Sequence, residues 1–217
     1  MYLELAEALD CPECRSAVGL VAFVEEAEGR RVLRGWLGCP LCEVEYPIVE
    51  GAIRFGGGGP AAPSRDDAAH SDEQEVALRL GALLGLAERR GVVVLLGPGL
   101  GRLGPRVARF AERAEVIAWL SGEDGDRLSF DLADLEAGVD PIVGAAPAAW
   151  PVRERSLDGV ALQAGTAVDL DEAGRCLKSG GRLVLTARGD EAPRPSAGEE
   201  RFREIAGDAR AWVGERL

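Results

Sequence analysis

The chain of 217 residues is long enough for one ordinary domain and a small second one, and its 47% hydrophobic and 29% charged residues are the composition of a globular protein. A net charge of −12 and a pI near 4.7 argue against direct nucleic-acid binding, which needs a basic stripe. No segment reaches the roughly 18 uninterrupted apolar residues of a membrane span, and the acidic start MYLELAEALDC lacks the basic residues of a signal peptide. A cytoplasmic protein with reduced cysteines is expected.

Four of the five cysteines form two short frames, CPEC at Cys11 and Cys14 and CPLC at Cys39 and Cys42. A C-x-x-C turn sets two thiolates about one tetrahedral edge apart, and two such turns joined by a hairpin complete a closed four-sulfur site. The 24 residues between the frames read as strand, turn and strand, with EEAEG as the turn. The alternatives are a redox C-x-x-C or surface cysteines without metal. The spacing favours a structural zinc ion, with no coordination position left for water. A module this small needs the metal to hold its core.

The segment EVEYPIVEGAIRF follows, read as a last strand with Gly51 at a bend and Tyr46 in the core. With Cys11, Cys14, Cys39 and Cys42, the residues Tyr46, Pro47, Ile48 and Gly51 make residues 1–56 resemble the zinc-ribbon tRNA-methyltransferase activator subunits and their small bacterial relatives. Ala52 stands where that family usually has isoleucine. Members of that family bind and stabilise methyltransferase domains or occur fused to them, so the resemblance implies an interaction role for this module.

Residues 57–74 are Gly-, Pro- and Ala-rich at first and read as a flexible linker, with His70 solvated within it. Residues 75–217 form the second unit. A helix ends before Gly91, VVVLL is a buried strand, and RLGPRVARFAERA is a helix with Pro105 in its first turn; Arg102, Arg106 and Arg109 form its solvated face. EVIAW, DPIVGA, SLDGVALQ and RLVLTAR supply further strands, with the helix DEAGRCLKSGG before the last. Alternating strands and helices predict an α/β fold with a mostly parallel sheet.

Two segments, WPVRERSLDGVAL (residues 150–162, through Pro151, Ser156, Asp158 and Val160) and DEAGRCLKSGGRLVL (residues 171–185), make this unit resemble the class I S-adenosylmethionine-dependent methyltransferases. Cys176 falls at a position usually held by valine and reads as a packing residue. The fold this implies is a Rossmann-like methyltransferase-type sheet, here expected to be truncated, beside a small N-terminal zinc-ribbon β domain. After strand five such a sheet needs a helix and two more strands. The tail ERFREIAGDARAWVGERL reads instead as one amphipathic helix carrying Phe202, Ile205, Trp212 and Val213, leaving a sheet edge that needs cover.

Gly97, Gly99 and Gly101 in VVVLLGPGLGRLG hold the place of the cofactor loop. The resemblance puts an acid two residues before the first glycine, a second at the end of strand two to hold the ribose hydroxyls, and a third in the loop after strand three. Those places carry Leu95, Trp119 or Leu120, and Ala145 and Ala146. Each hydrogen bond to a charged group contributes about 1.5–3 kcal/mol, and methyl transfer depends chiefly on positioning the donor. The glycines then read as a vestigial loop, a tight strand-to-helix turn.

The favoured reading is a non-catalytic zinc-binding scaffold with a protein partner or a second copy of itself, and no nucleic acid or membrane. The alternative is an active S-adenosylmethionine-dependent methyltransferase with Glu123 or Asp124 as a displaced ribose anchor. A dinucleotide-binding enzyme shares the glycines and lacks the same acid.

Overall fold

The structure, a computed structural model, describes residues 1–56, 70–97, 99–120, 138–144, 150–163, 170–187, 195 and 199–217. The linker residues 57–69, together with Glu123, Asp124, Ala145 and Ala146, lie outside the described residues.

A 3-10 turn, Leu3–Ala8, precedes a hairpin of β1 (Val21–Glu28) and β2 (Arg31–Gly38). The turn is at residues 29–30, where Gly29 takes φ 57°; the expected turn residues 25–28 lie within β1 instead. The single strand expected after the second cysteine pair is two, β3 (Glu45–Val49) and β4 (Ala52–Arg54). Glu50 and Gly51, with φ of 52° and 78°, join them in the two-residue turn whose twist suits adjacent strands.

The remaining elements are α1 (His70–Leu84), β5 (Gly91–Leu96), α2 (Gly104–Ala108), β6 (Ala114–Leu120), β7 (Val139–Val143), β8 (Leu157–Gln163), α3 (Leu170–Cys176), β9 (Leu177–Thr186), β10 (Phe202–Gly207) and β11 (Ala211–Arg216). His70 thus starts a helix inside the segment read as linker.

The eleven strands among the described residues form one sheet, in the order β1-β2-β3-β4-β7-β6-β5-β8-β9-β11-β10. Strands β4 through β9 of that order pair in parallel, with Val94 opposite both Ile117 and Val160. This is the expected α/β architecture with a mostly parallel sheet, made mixed by the antiparallel strands at both ends. The expected truncation is not found. The tail is not a helix but two strands, β11 antiparallel to β9 with Trp212 opposite Leu185, and β10 antiparallel to β11. Asp208 makes the turn between them, its Oδ1 accepting the N–H groups of Arg210 at 2.7 Å and Ala211 at 2.9 Å.

The join between the N-terminal strands and the rest is a parallel pairing, Ile53 opposite Ile142 and Arg54 opposite Val143. Side chains alternate across the sheet. Val93, Leu95, Val116, Ala118 and Ala161 pack with Leu80 and Leu84 of α1 and Val107 of α2. On the opposite face Val94, Leu96, Ile117, Ile142 and Val160 share one core with Met1, Leu5, Leu37, Tyr46, Ile48 and Ile53.

Asp140 of β7 is fully buried beneath the N-terminal segment. Its Oδ1 accepts the N–H of Tyr2 at 2.7 Å and lies 3.7 Å from the ammonium of Met1 and 3.8 Å from Arg31. Burial pushes its carboxyl up, against the pull of the ammonium, the Tyr2 N–H and Arg31.

Glu172 of α3 fixes the segment before β8 in a similar way. It accepts the N–H of Trp150 at 3.0 Å and a guanidinium hydrogen bond from Arg175 at 2.8 Å. Burial works to raise its carboxyl, but the Arg175 and Trp150 hydrogen bonds hold it below the ordinary glutamate range.

Candidate metal centre and candidate cofactor loop

The two cysteine frames fold as matching turns. In the first, the N–H of Arg15 donates to the carbonyl of Cys11 at 2.9 Å; in the second, the N–H of Glu43 donates to that of Cys39 at 3.0 Å. Arg15 and Glu43 both take left-handed φ, 49° and 60°. Pro12 and Pro40 preset the first turn position of each. The hairpin of β1 and β2 carries the chain from one turn to the other.

The four Sγ atoms lie within 4.8 Å of one another. Cys11 and Cys42 are 3.6 Å apart and Cys14 and Cys39 3.5 Å. Four sulfurs at about 2.3 Å from a central zinc would be separated by about 3.8 Å. The cluster therefore fits a tetrahedral metal, and these four residues would hold it.

The N–H of Cys42 donates to the Cys39 sulfur and, against burial and with help from the Leu41 N–H, lowers it to about 6. The N–H of Val44 pulls Cys42 down, yet burial and the sulfurs of Cys39, Cys11 and Cys14 push it up to about 12. At Cys14 the Ser16 N–H likewise lowers, while burial and the sulfurs of Cys39 and Cys11 raise. Four adjacent sulfurs cannot all carry charge unaided, and a bound cation is what lets them ionise together.

Tyr46 is core, as expected, and also a neighbour of the cluster. Its hydroxyl lies 3.4 Å from the Cys11 sulfur and its ring 4.6 Å from that of Phe55. Burial, then the contact with Cys11, push its phenol up, so it stays neutral beside the sulfur. The contact spans 35 residues of sequence, and no local pattern announces it.

The glycine loop leaves β5 with Gly97 at φ 127°. Three of its N–H groups already have partners. Those of Leu100 and Gly101 donate to the Gly97 carbonyl, both at 3.1 Å, and that of Gly99 donates to Oε1 of Gln163 at 3.2 Å. Sequence reasoning missed Gln163, at the end of β8. A Cβ on Gly101 would lie 2.6 Å from the Trp119 carbonyl oxygen and 2.7 Å from Leu120 Cδ2. Its missing side chain therefore lets the loop rest on β6.

Leu95, Trp119 and Leu120, which stand where acids were sought, are buried. The Trp119 indole Nε1 donates to the carbonyl of Gly144 at 3.3 Å, and its ring lies 6.0 Å from that of Trp150. Where the sheet order reverses, at the carboxyl ends of β5 and β8, a cleft of about 380 Å³ opens between Gly99, Leu100, Leu103, Gln163, Arg79 and Thr186. Cys176 is buried, its thiol donating to the Val152 carbonyl at 3.5 Å, and burial pushes it up to about 12. It is a packing residue, as expected. Among the described residues no helix is long and apolar enough to cross a membrane.

No protein-family model matches the chain, and no curated protein matches it in sequence. Among solved structures it is similar to the targeted domain of a precorrin-6Y C5,15-methyltransferase from Corynebacterium diphtheriae, at 17% identity over 69% of this chain and 100% of that one, with a TM-score of 0.46. It is also similar to an S-adenosylmethionine-dependent O-methyltransferase from Thermotoga maritima, at 14% identity over 84% of this chain and 77% of that one, with a TM-score of 0.44. An rRNA methylase from Streptococcus thermophilus shares 16% identity over 64% of this chain and 95% of that one, with a TM-score of 0.42.

Proposed function

We propose that this protein is a non-catalytic, zinc-bearing relative of the methyltransferases that serves to bind another protein or a second copy of itself. The observation that carries the reading lies at the tip of β6. Where a ribose-binding carboxylate would stand, the chain has a buried indole whose N–H is engaged by Gly144. The loop beside it supports the same reading, since the N–H groups of Gly99, Leu100 and Gly101 are satisfied within the protein. On this reading Gly97, Gly99 and Gly101 are a vestigial cofactor loop and the zinc at Cys11, Cys14, Cys39 and Cys42 is structural. Four thiolates on one metal suit a reducing compartment such as the cytoplasm.

The cleft at the carboxyl ends of β5 and β8 favours a second reading, an active methyltransferase that anchors its donor elsewhere, through Glu123 or Asp124. Calorimetric titration of S-adenosylmethionine and S-adenosylhomocysteine into zinc-loaded protein separates the two. Silence up to millimolar ligand is expected; binding in the low micromolar range would replace the first reading with the second.

A further inference from the structure

The sheet ends at two strands, β10 and β1, and the two differ in chemistry. On β10 the polar side chains have partners: Arg203 bonds Glu215, and Glu204 accepts the indole N–H of Trp212 at 2.9 Å. The other end is apolar, then acidic. Residues 16–24, SAVGLVAFV, carry no charge. Within them Val18, Val21, Phe23 and Val24 are exposed at 62, 47, 48 and 49%, among the largest exposures of any described apolar side chains. Phe23 stacks on Trp36 at 5.5 Å and 16°, which makes a flat apolar shelf beside the edge. Glu25, Glu26 and Glu28 then follow, all exposed, with Arg34 at 3.9 Å from Glu26.

An edge strand that must stay single is normally protected by charge, by proline, by a bulge or by being short. β1 is eight residues long; its register irregularities fall between Val24 and Ala27, beside its carboxylates, and leave Val21–Phe23 with none of these protections. A second copy offers these carboxylates no cation: parallel self-pairing would set them against one another, and antiparallel self-pairing would set Glu25, Glu26 and Glu28 opposite Val24, Phe23 and Val21. An anionic lipid surface would repel them outright.

We infer that β1 is the docking edge for an extended segment of another protein, apolar over Val21–Val24 and rich in Lys or Arg over Glu25–Glu28, which adds a twelfth strand to the sheet. The main-chain groups of the free edge would supply the pairing, the Phe23–Trp36 shelf the apolar contact, and the three carboxylates the register and the charge selection. This deepens the partner-binding reading and rests on it.

The test uses full-length zinc-loaded protein and three fluorescein-labelled peptides, VTVVRKRK, its reversed order, and the acidic counterpart VTVVEEEE. One of the two basic peptides is expected to bind, to protect the amides of residues 21–28 from hydrogen exchange, and to weaken about tenfold or more as added salt shortens the Debye length from about 10 Å to about 3 Å. The triple variant Glu25→Lys, Glu26→Lys, Glu28→Lys, altered only at exposed side chains, is expected to reverse the preference in favour of the acidic peptide. No binding by either basic peptide overturns the inference. So does binding that leaves residues 21–28 unprotected, or a triple variant that still prefers the basic peptide. Self-association through β1 on sedimentation would overturn it in favour of a second copy. The cofactor titration reports separately: a silent titration with unbound peptides removes this surface and keeps the non-catalytic reading, whereas cofactor binding with β1 protected removes that reading and keeps the surface.

Discussion

The Trp119 indole Nε1 donates to the Gly144 carbonyl at 3.3 Å, a hydrogen bond that ties the tip of β6 to the tip of β7. The same residue fills the space between β6 and Trp150. Trp119→Phe keeps most of the apolar contact and loses the hydrogen bond, so it should cost about 1 kcal/mol in denaturant unfolding. Trp119→Ala should cost about 3–5 kcal/mol by leaving a cavity. Equal costs for the two variants would mean that the hydrogen bond, and not the ring, dominates.

Gly101 and Gly99 sit in one loop but answer to different constraints. A Cβ at 101 meets backbone of β6, whereas one at 99 meets the flexible amide of Gln163 at 3.3 Å. Gly101→Ala should destabilise by about 1–3 kcal/mol, the usual cost of overpacking. Gly99→Ala should cost well under that. Thermal unfolding of the two variants checks the order, and a larger loss at Gly99 would contradict this account of the loop.

The four-cysteine cluster should hold one metal ion per chain, read by inductively coupled plasma spectrometry, and Cys14→Ser or Cys39→Ser should abolish it. Because Ile53 pairs with Ile142, chelation should also raise hydrogen exchange in β7 at residues 139–143, far along the chain from any ligand. Exchange confined to residues 1–56 after chelation would show that the two parts of the sheet are energetically separate.

Glu172 gives a pH signature. Its carboxyl is held below the ordinary glutamate range in the fold, so the unfolded chain binds the proton first. Stability from this group is present above about pH 4.5 and is lost as pH falls through the lower folded value. Glu172→Gln should therefore be destabilised near neutral pH and show a shallower loss of stability on acidification. An acid limb unchanged from the parent protein would remove Glu172 from that account.

Much of this could be read from the sequence because it is local. The cysteine frames, the apolar run of β5 and the SLDGVALQ strand each sit within a few residues. The tail was misread for a physical reason: Phe202, Ile205, Trp212 and Val213 are too few and too widely spaced to separate period 3.6 from two short strands. The available signal was the Gly207–Asp208 pair in the middle, a turn dipeptide inside a supposed helix. Nothing local announced that β4 would lie beside β7, or that Gln163 would reach the N–H of Gly99. Those are long-range pairings, decided by packing.

The parallel pairing of Ile53 with Ile142 also orders events at the ribosome. The cysteine-bearing strands emerge first and can close around metal at once, yet their β4 edge has no neighbour until β7 is made. At about 5–20 residues per second that wait is about 5–20 seconds. During it the nascent chain displays two unpaired edges, β1 and β4, and then retains only the first. A chaperone or partner that meets the chain during synthesis thus finds a different surface from the one the finished protein offers.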